Sequence, residues 1–436
     1  MSREHLGSCL SWLTILGLVC FLCGPWLLPS NTYYHRLIIA LLWLPAFVHF
    51  LLLRKQYPSI SKPFTWLYLA VSVWYWLVVV LTLEGRDDLR ELKLPFYIAL
   101  SLLGFMVGAL YLKARFADFL LLCGLLGGLG AGWSWIDFYW VEGHRYGERV
   151  VSMGLWRVVI PAAQACGALV VLTAMLGLVG KRKPWELGAV FLALACYGVF
   201  LYFNQSRWVW LCLVMAFVGA SVLSRSRAAY AMAFVSVLLL AVVLMLKPTF
   251  LLNRGFSYRP ELWVEGLNLL LEHWEYGVGF KDYWVEAASL KFSSRHPHNM
   301  FLDIGIRFGV AGLLLWAGLW IWAGWRAFRH RQTALGGAAV TLWLYSGLVV
   351  LTEGTAPWVK PAPIWFVTWL PIAMALVVDR GADRLKGQGR RWLELERPGL
   401  PLLAVQHWGP LPLKRCGRSA GYRHQRLALV AASRCL

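Results

Sequence analysis

The sequence predicts an all-α polytopic membrane protein with about twelve transmembrane helices and one large external loop. Hydrophobic residues make up 59% of the 436 residues, whereas about half of a water-soluble globular chain is apolar. Apolar runs of roughly 20 residues, the length that spans a bilayer, recur along the chain. The formal net charge of +20 is spread over short connections and the C-terminal tail. That distribution is typical of membrane orientation and of contact with anionic membrane lipids, so no nucleic-acid partner is expected.

Hydropathy and length together define the individual spans. The predicted spans are residues 8–29, 36–53, 64–83, 95–112, 116–136, 158–180, 187–203, 208–223, 228–246, 300–324, 334–351 and 362–379. The first run is long for a signal peptide, and the membrane pattern continues after it. With the N-terminus in the cytoplasm, five successive inside connections are basic, which is the orientation that the positive-inside rule favours.

Four regions follow from these spans. Residues 1–246 contain the first nine transmembrane helices, and residues 247–299 form the one large periplasmic loop. Residues 300–380 contain the last three helices, and residues 381–436 form a basic cytoplasmic tail rich in proline and glycine.

The large loop is expected to contain short amphipathic helices. From Pro260 to Trp274 the apolar residues recur at helical spacing, which indicates a helix on the membrane surface or over the bundle. A break at Gly277-Val-Gly279 follows it. The segment Phe280 to Lys291 is interpreted as a second short helix.

Three external residues are the candidates for catalysis. Arg207 follows the short polar loop Asn204-Gln-Ser between two apolar spans, and Arg259 precedes Pro260, which suits the first position of a helix. A guanidinium at a helix start suits phosphate, although a snorkelling or solvated arginine would give the same pattern. His298 follows Pro297 where the next helix is expected to begin, and there the helix dipole favours a neutral imidazole that can accept a proton. A structural histidine is the alternative.

His296-Pro297-His298 also suggests a metal-binding pair. No carboxylate or further histidine keeps a helical or finger-like spacing with it, so no metal is expected. The cysteines mostly lie in apolar runs, without the spacing of a metal site or a disulfide framework.

In order and spacing these elements resemble the bacterial O-antigen ligases, within the wider Wzy/ligase superfamily of polysaccharide polymerases and ligases. The shared features are an arginine after a short polar loop (Arg207), an arginine four residues before a tryptophan (Arg259 and Trp263), a Gly-x-Gly (Gly277 and Gly279) and the element His-Asn-x9-Gly-x-x-Gly (His298 to Gly312). The resemblance covers the C-terminal two-thirds of the chain. The N-terminal third resembles the family only in hydropathy.

The resemblance implies a GT-C-like glycosyltransferase of the bacterial inner membrane whose active site faces the periplasm. Such an enzyme moves a glycan from undecaprenyl pyrophosphate to a sugar hydroxyl of lipid A–core oligosaccharide, with inversion and without metal or cofactor. His298 would be the general base, and Arg207 and Arg259 would stabilise the leaving diphosphate. The residues expected to bind substrate are Arg86, Arg295, Trp263, Asn299 and Gly279.

Other functions stay open at the level of sequence. An O-antigen polymerase or a protein O-oligosaccharyltransferase would use the same class of donor and differ in the acceptor. A non-catalytic glycolipid flippase would need charges deep within several spans and related halves, and the sequence has few such charges and no internal repeat. A monomer is expected, and an oligomer is not excluded.

Overall fold

The computed structural model describes residues 3–57, 61–179, 182–224, 227–246, 259–287 and 292–378. The predicted tail 381–436 and the first part of the large loop, residues 247–258, lie outside these ranges. Within them most residues are helical and the strands form a single small sheet, so the predicted all-α membrane class is confirmed.

Fifteen helices and two strands make up the described fold. The helices are α1 (Arg3–Leu27), α2 (Asn31–Leu37), α3 (Leu44–Leu53), α4 (Lys62–Leu81), α5 (Arg86–Leu89), α6 (Leu94–Leu112), α7 (Phe116–Ile136), α8 (Val159–Gly177), α9 (Pro184–Asn204), α10 (Arg207–Ser224), α11 (Arg227–Leu246), α12 (Arg259–Glu272), α13 (Met300–Arg329), α14 (Ala334–Val349) and α15 (Trp369–Val377). The strands are β1 (Val285–Ala287) and β2 (Phe292–Ser294). Short π or 3₁₀ segments extend several helices.

The described residues contain nine continuous helical segments that are long and apolar enough to cross a membrane, some of them made of more than one of these helices. One of them, Arg90–Val141, contains two predicted spans, and the chain breaks between these at Lys113, which has a φ of 56°. The shorter apolar helices Ala334–Val349 and Pro363–Val377 coincide with the last two predicted spans. The protein is therefore a multi-pass membrane protein.

The second helix predicted in the large loop is wrong. Instead, β1 and β2 form an antiparallel hairpin in which Val285 pairs with Ser294 and Ala287 with Phe292. Val285 and Ala287 are buried and the residue between them is exposed, which is the two-residue period of a strand. The hairpin packs on α12, whose buried face includes Leu262 and Leu270.

Helix α13 is broken at Gly309, whereas the sequence predicted a continuous span. Gly309 has a φ of 67° and a ψ of −177°, a conformation that L-residues avoid. A Cβ there would lie 2.7 Å from the carbonyl oxygen of Trp274, so the loop backbone occupies the space of a side chain. Gly305 and Gly312 permit close packing, because an added Cβ would overlap a methyl of Leu270 at the first and lie 3.1 Å from the indole nitrogen of Trp74 at the second.

Hydrogen bonds from outside the helix compensate for the break. The amide N–H groups of Val278 and Gly279 donate to the carbonyls of Ile306 and Arg307 at 2.9 and 2.8 Å. The indole N–H of Trp74 donates to the carbonyl of Phe308 at 2.8 Å. Unpaired backbone groups are costly inside a membrane protein, so these bonds fix the large loop against α13.

An apolar groove of about 940 Å³ lies among the C-terminal halves of α1, α7 and α9. Its lining includes Leu27, Leu129 and Trp133, which are themselves exposed on the protein surface. Helices α7 and α9 approach each other closely at Gly128. A Cβ added there would lie only 2.7 Å from the Cβ of Ala193. The groove therefore opens toward the surface that lipid would cover.

We predict that Gly309→Ala destabilises the fold, since the new Cβ would overlap a loop carbonyl at a positive φ. This combination of φ and ψ is essentially restricted to glycine and costs another residue about 1–3 kcal/mol even without the overlap. Gly318→Ala is the matched control in the same helix, because a Cβ there would make only an ordinary 3.4 Å contact with Leu67. Thermal unfolding of both variants in detergent should show a lower midpoint for Gly309→Ala alone. Equal midpoints would contradict the structural account of the break.

Candidate active site

The candidate site lies at one end of the helical bundle, called the site face here, where the loop 350–362 meets the start of α13. Two hydrogen bonds donated by backbone amides connect these segments. The amide of Met300 donates to the carbonyl of Val350 at 2.9 Å, and the amide of Ala356 donates to the carboxylate of Asp303. The start of α13, which follows His298, is therefore connected to the loop on both sides of Glu353.

His298 lies two residues before α13, so the helix begins at about the residue where the sequence predicted its start. Asn299 is the N-cap, and its side-chain oxygen accepts hydrogen bonds from the amides of Phe301 and Leu302. Asparagine is a preferred N-cap residue. His298 has a φ of 52°, an unusual conformation for a residue other than glycine, and it turns the chain into the site.

Glu353 connects the predicted base with one of the predicted arginines. Its Oε2 lies 2.7 Å from Nδ1 of His298 and 3.6 Å from a terminal nitrogen of Arg259. An ionised carboxylate only accepts hydrogen bonds, so in the neutral imidazole Nδ1 of His298 carries the proton and the lone pair is on Nε2. The hydroxyl of Ser294 lies 3.3 Å from that Nε2.

Arg259 is the first residue of α12. The helix therefore begins one residue before Pro260, the position at which the sequence predicted its start. Its Nε donates to the carbonyl of Thr352 at 2.6 Å, which anchors the guanidinium beside Glu353. Gln164 of α8 donates to the backbone carbonyl of Glu353 at 3.0 Å. Two helices thus position the loop residue that contacts His298.

Arg207 is half-buried at the start of α10, after a left-handed turn at Gln205 with a φ of 59°. The next residue, Trp208, donates its indole N–H to the carbonyl of Leu348 at 3.2 Å. Leu348 lies at the end of α14, four residues before the Thr352 carbonyl that Arg259 contacts. The structure therefore places Arg207 on the site face, beside the helix that leads into the loop of Glu353.

His296 lies directly beside His298. The two ring centroids are 4.3 Å apart, and Nδ1 of His296 accepts a hydrogen bond from the amide of His298 at 3.2 Å. Burial lowers the pKa of His296, and the neighbouring His298 lowers it further, so the ring is neutral at pH 7. His296, His298 and Glu353 each bring one potential metal-ligand atom within 4.8 Å of the others. The third ligand that the sequence did not reveal comes from the loop 350–362.

Asp303 is the buried charge that organises this region. Its carboxylate accepts hydrogen bonds from the hydroxyl of Tyr283, from Nε of Arg307 at 3.2 Å and from the amide of Ala356. Burial and the neighbouring Asp303 raise the pKa of Tyr283, so its hydroxyl stays protonated as the donor. Asp303 and Arg307 are four residues apart in α13 and form an ion pair, and Tyr283 and Ala356 are two further partners of the carboxylate.

The other predicted substrate-binding residues have varied surroundings. Trp263 lies one helical turn from Arg259, and its buried indole N–H has no hydrogen-bond partner among the described residues. Arg295 is exposed, with its guanidinium 5.3 Å from the centre of the Trp284 ring. Arg86 begins α5, but its side chain lies outside what the structure describes.

Two of the predicted substrate-binding residues have clear packing roles. Gly279 has a φ of 64°, and a Cβ there would overlap the hydroxyl of Thr82. Its carbonyl accepts a hydrogen bond from Arg307 at 3.1 Å. Asn299 uses its side-chain oxygen as the helix cap. For both residues, substrate binding stays a prediction.

Glu353 is the residue that the sequence analysis missed. It is 55 residues from His298 in sequence, so no local spacing connects the two. The available signal was an acidic residue directly after an apolar span, in the segment Glu353-Gly-Thr-Ala-Pro-Trp358. An ionisable residue at a span end usually has a partner.

Comparisons with known proteins agree with the resemblance inferred from the motifs. Residues 190–317, which include Arg207, Arg259 and His298, match the family model described as O-antigen ligase. Over 368 residues the chain is 28% identical to an O-antigen ligase of Pseudomonas aeruginosa, and the alignment covers 83% of this chain and 90% of that protein. The similarity to O-antigen ligases is thereby confirmed.

We predict that Asp303→Asn destabilises the protein more than Tyr283→Phe does. The amide keeps one acceptor oxygen and turns an N–H₂ toward groups that are themselves donors, and it leaves the charge of Arg307 unpaired. Breaking a buried ion pair typically costs about 3–5 kcal/mol, whereas losing one hydrogen bond to a charged group costs about 1.5–3 kcal/mol. Thermal unfolding of the two variants provides the measurement. An equal or larger loss for Tyr283→Phe would refute the central role of the carboxylate.

Proposed function

We propose, from its confirmed similarity to O-antigen ligases, that this membrane protein is a glycosyltransferase that joins a lipid-linked glycan to lipopolysaccharide. The donor is a glycan on undecaprenyl pyrophosphate, and the acceptor is a sugar hydroxyl of lipid A–core oligosaccharide. The observation that carries the proposal is Glu353, whose carboxylate lies between the imidazole of His298 and the guanidinium of Arg259. A base and an anion-binding group thus lie side by side.

His298 acts as the general base in this proposal. Because Nδ1 donates to Glu353, the lone pair on Nε2 is available to take the proton of the acceptor hydroxyl. As the proton arrives, the imidazolium is stabilised by the carboxylate 2.7 Å away. Glu353 therefore fixes the tautomer and compensates the charge that forms, and it is a positioning residue.

Arg259 and Arg207 stabilise the leaving group. The glycosidic C–O bond breaks as the acceptor oxygen bonds to the anomeric carbon, and undecaprenyl diphosphate departs with the bonding electrons. Negative charge grows on the diphosphate oxygens during this step. Guanidinium groups supply bidentate donors for these oxygens, so no divalent metal is required for this task.

Attack on the face opposite the diphosphate inverts the anomeric centre. The transition state has oxocarbenium character, as in glycoside hydrolysis. The indole N–H of Trp263, one turn from Arg259, provides a further donor toward substrate. Arg86, Arg295, Asn299 and Gly279 are retained as proposed contributors to binding.

The proposed location is the bacterial inner membrane, with the site face in the periplasm. The basic connections of the sequence support this orientation. An O-antigen polymerase is the second candidate, since it uses the same donor class and the same chemistry. Reconstitution with donor and core acceptor separates the two, because a ligase produces a larger lipopolysaccharide and a polymerase lengthens the donor glycan.

We predict that Arg207→Ala, Arg259→Ala and His298→Asn lose transfer while the protein still reaches the membrane. Removing one preorganised donor lowers kcat by about 10²–10³, and removing a general base lowers it by about 10²–10⁴. Asparagine is chosen at position 298 because it tolerates a positive φ. The lipopolysaccharide profile of a deletion strain carrying each variant is the readout.

Arg145→Ala is the matched control, since Arg145 is an exposed arginine beyond the site-face end of α7. It should retain full transfer. Normal lipopolysaccharide from all three site variants would refute the proposed function, and loss of transfer in the control would point to a general effect of charge.

We predict that Glu353→Gln lowers kcat with little change in KM for either substrate. The glutamine amide can donate to Nδ1 of His298, which moves the proton to Nε2 and removes the base. Losing general-base catalysis costs about 10²–10⁴ in rate. Steady-state kinetics of the purified protein provide the measurement. A rise in KM at unchanged kcat would instead assign Glu353 to substrate binding.

A further inference from the structure

The proposed transfer reaction does not require all three members of the cluster formed by His296, His298 and Glu353. The reaction uses His298 and its carboxylate, but it assigns no role to His296. One nitrogen from each histidine and one carboxylate oxygen lie within 4.8 Å of one another. We propose that these three side chains form a Zn²⁺ site and that bound Zn²⁺ inhibits glycan transfer. The inhibition rests on the proposed function, whereas the binding does not.

The chemistry of the three side chains suits zinc. Two histidines and one glutamate are a known ligand set for Zn²⁺ with an open fourth position, which a water or substrate oxygen fills. The two imidazoles are partly exposed and the Glu353 side chain keeps 12% of its surface exposed, so an ion can approach the cluster from the side of the histidines.

The geometry requires only small movements. Zinc bonds of about 2.0–2.2 Å in a tetrahedral arrangement place ligand atoms roughly 3.3 Å apart. Nδ1 of His298 and Oε2 of Glu353 are 2.7 Å apart at present, and no pair in the cluster exceeds 4.8 Å. Displacements of about 1–1.5 Å therefore suffice, and side-chain rotation supplies them. The hydroxyl of Ser294, 3.3 Å from Nε2 of His298, is placed to hold the ring orientation from outside the ligand set.

Charge around the cluster sets the strength and the effect of binding. Arg259 lies 3.6 Å from the Glu353 carboxylate and weakens the attraction for a cation, so the site suits reversible inhibition better than permanent occupancy. An ion bound at Nδ1 of His298 takes the place of the proton shared with Glu353, and a neutral imidazole then carries its one proton on Nε2. Nε2 has no lone pair in that state, so it cannot accept the proton of an acceptor hydroxyl.

The matched variant is His296→Asn. Asparagine places an amide oxygen near the position of Nδ1, so it can still accept the hydrogen bond from the His298 amide. An amide oxygen is a poor zinc ligand compared with imidazole. The variant should therefore keep transfer activity in the absence of zinc while losing one of the three ligands.

Two measurements test the proposal. Competition with a chromophoric zinc indicator measures binding to the purified full-length protein, and a reconstituted transfer assay measures inhibition. We expect one Zn²⁺ per chain, loss of transfer over the same zinc range, and recovery on addition of chelator. His296→Asn should shift both curves to at least about tenfold higher zinc, since even outer-shell changes cost 10–100-fold in affinity. Glu353→Gln is measured for binding alone and should show a similar loss.

Three outcomes would refute the zinc site or distinguish its failure from a failure of the proposed function. If zinc inhibits His296→Asn as strongly as the unmodified protein, zinc acts on the donor diphosphate and the site is refuted. If neither His296→Asn nor Glu353→Gln weakens zinc binding, the site is also refuted. If both variants weaken binding but the unmodified protein transfers no glycan under any condition, the metal site stands and the proposed function fails.

Discussion

The buried carboxylate of Asp303 is the constraint on which the site geometry depends. It lies five residues after His298 and accepts a hydrogen bond from the amide of Ala356, three residues after Glu353. Together with the bond from Met300 to Val350, it fixes two segments that are far apart in sequence at a constant offset. A charge that has no contact with solvent needs several donors, and here each donor comes from a different part of the chain. The position of the His298 imidazole relative to the Glu353 carboxylate thus depends on the hydrogen bonds that the buried Asp303 carboxylate accepts.

The same principle operates at the break in α13. Three carbonyls that a continuous helix would satisfy internally instead accept hydrogen bonds from the loop and from Trp74. The loop that supplies Arg259 and Tyr283 is therefore attached to a membrane helix through carbonyls that have no partner within the helix. Irregular backbone at this depth is tolerated where protein covers it, and the covering element is the one that brings in functional side chains.

Much of the architecture could be predicted from the sequence because the bilayer imposes a length and a polarity on each span. The ends of α9 and α10 around Asn204-Gln-Ser-Arg207 agree with the prediction to within a few residues. The hairpin was missed because a short apolar segment such as Phe280 to Lys291 fits either period, and packing against α12 decided the outcome. The break at Gly309 was missed because glycine in a membrane helix more often serves close packing, and the external donors are not visible in local sequence.

The site was predicted in part, for a related reason. The order of Arg207, Arg259 and His298 is a sequence feature, whereas the carboxylate between two of them is a product of tertiary folding. Glu353 is brought to His298 by the connection of α14 to α13 across 55 residues. A motif can specify which side chains approach a site, but the partner that sets a tautomer depends on contacts that only the folded chain defines.

The apolar groove among α1, α7 and α9 has a practical consequence for work on the isolated protein. This groove of about 940 Å³ opens toward the lipid, so alkyl chains of the surrounding lipid or detergent will fill it. A detergent tail wedged beside Trp133 is a different neighbour from a phospholipid or a prenyl chain. Chain length of the surfactant is therefore an experimental variable, and nanodiscs are the appropriate reference state for kinetic comparisons.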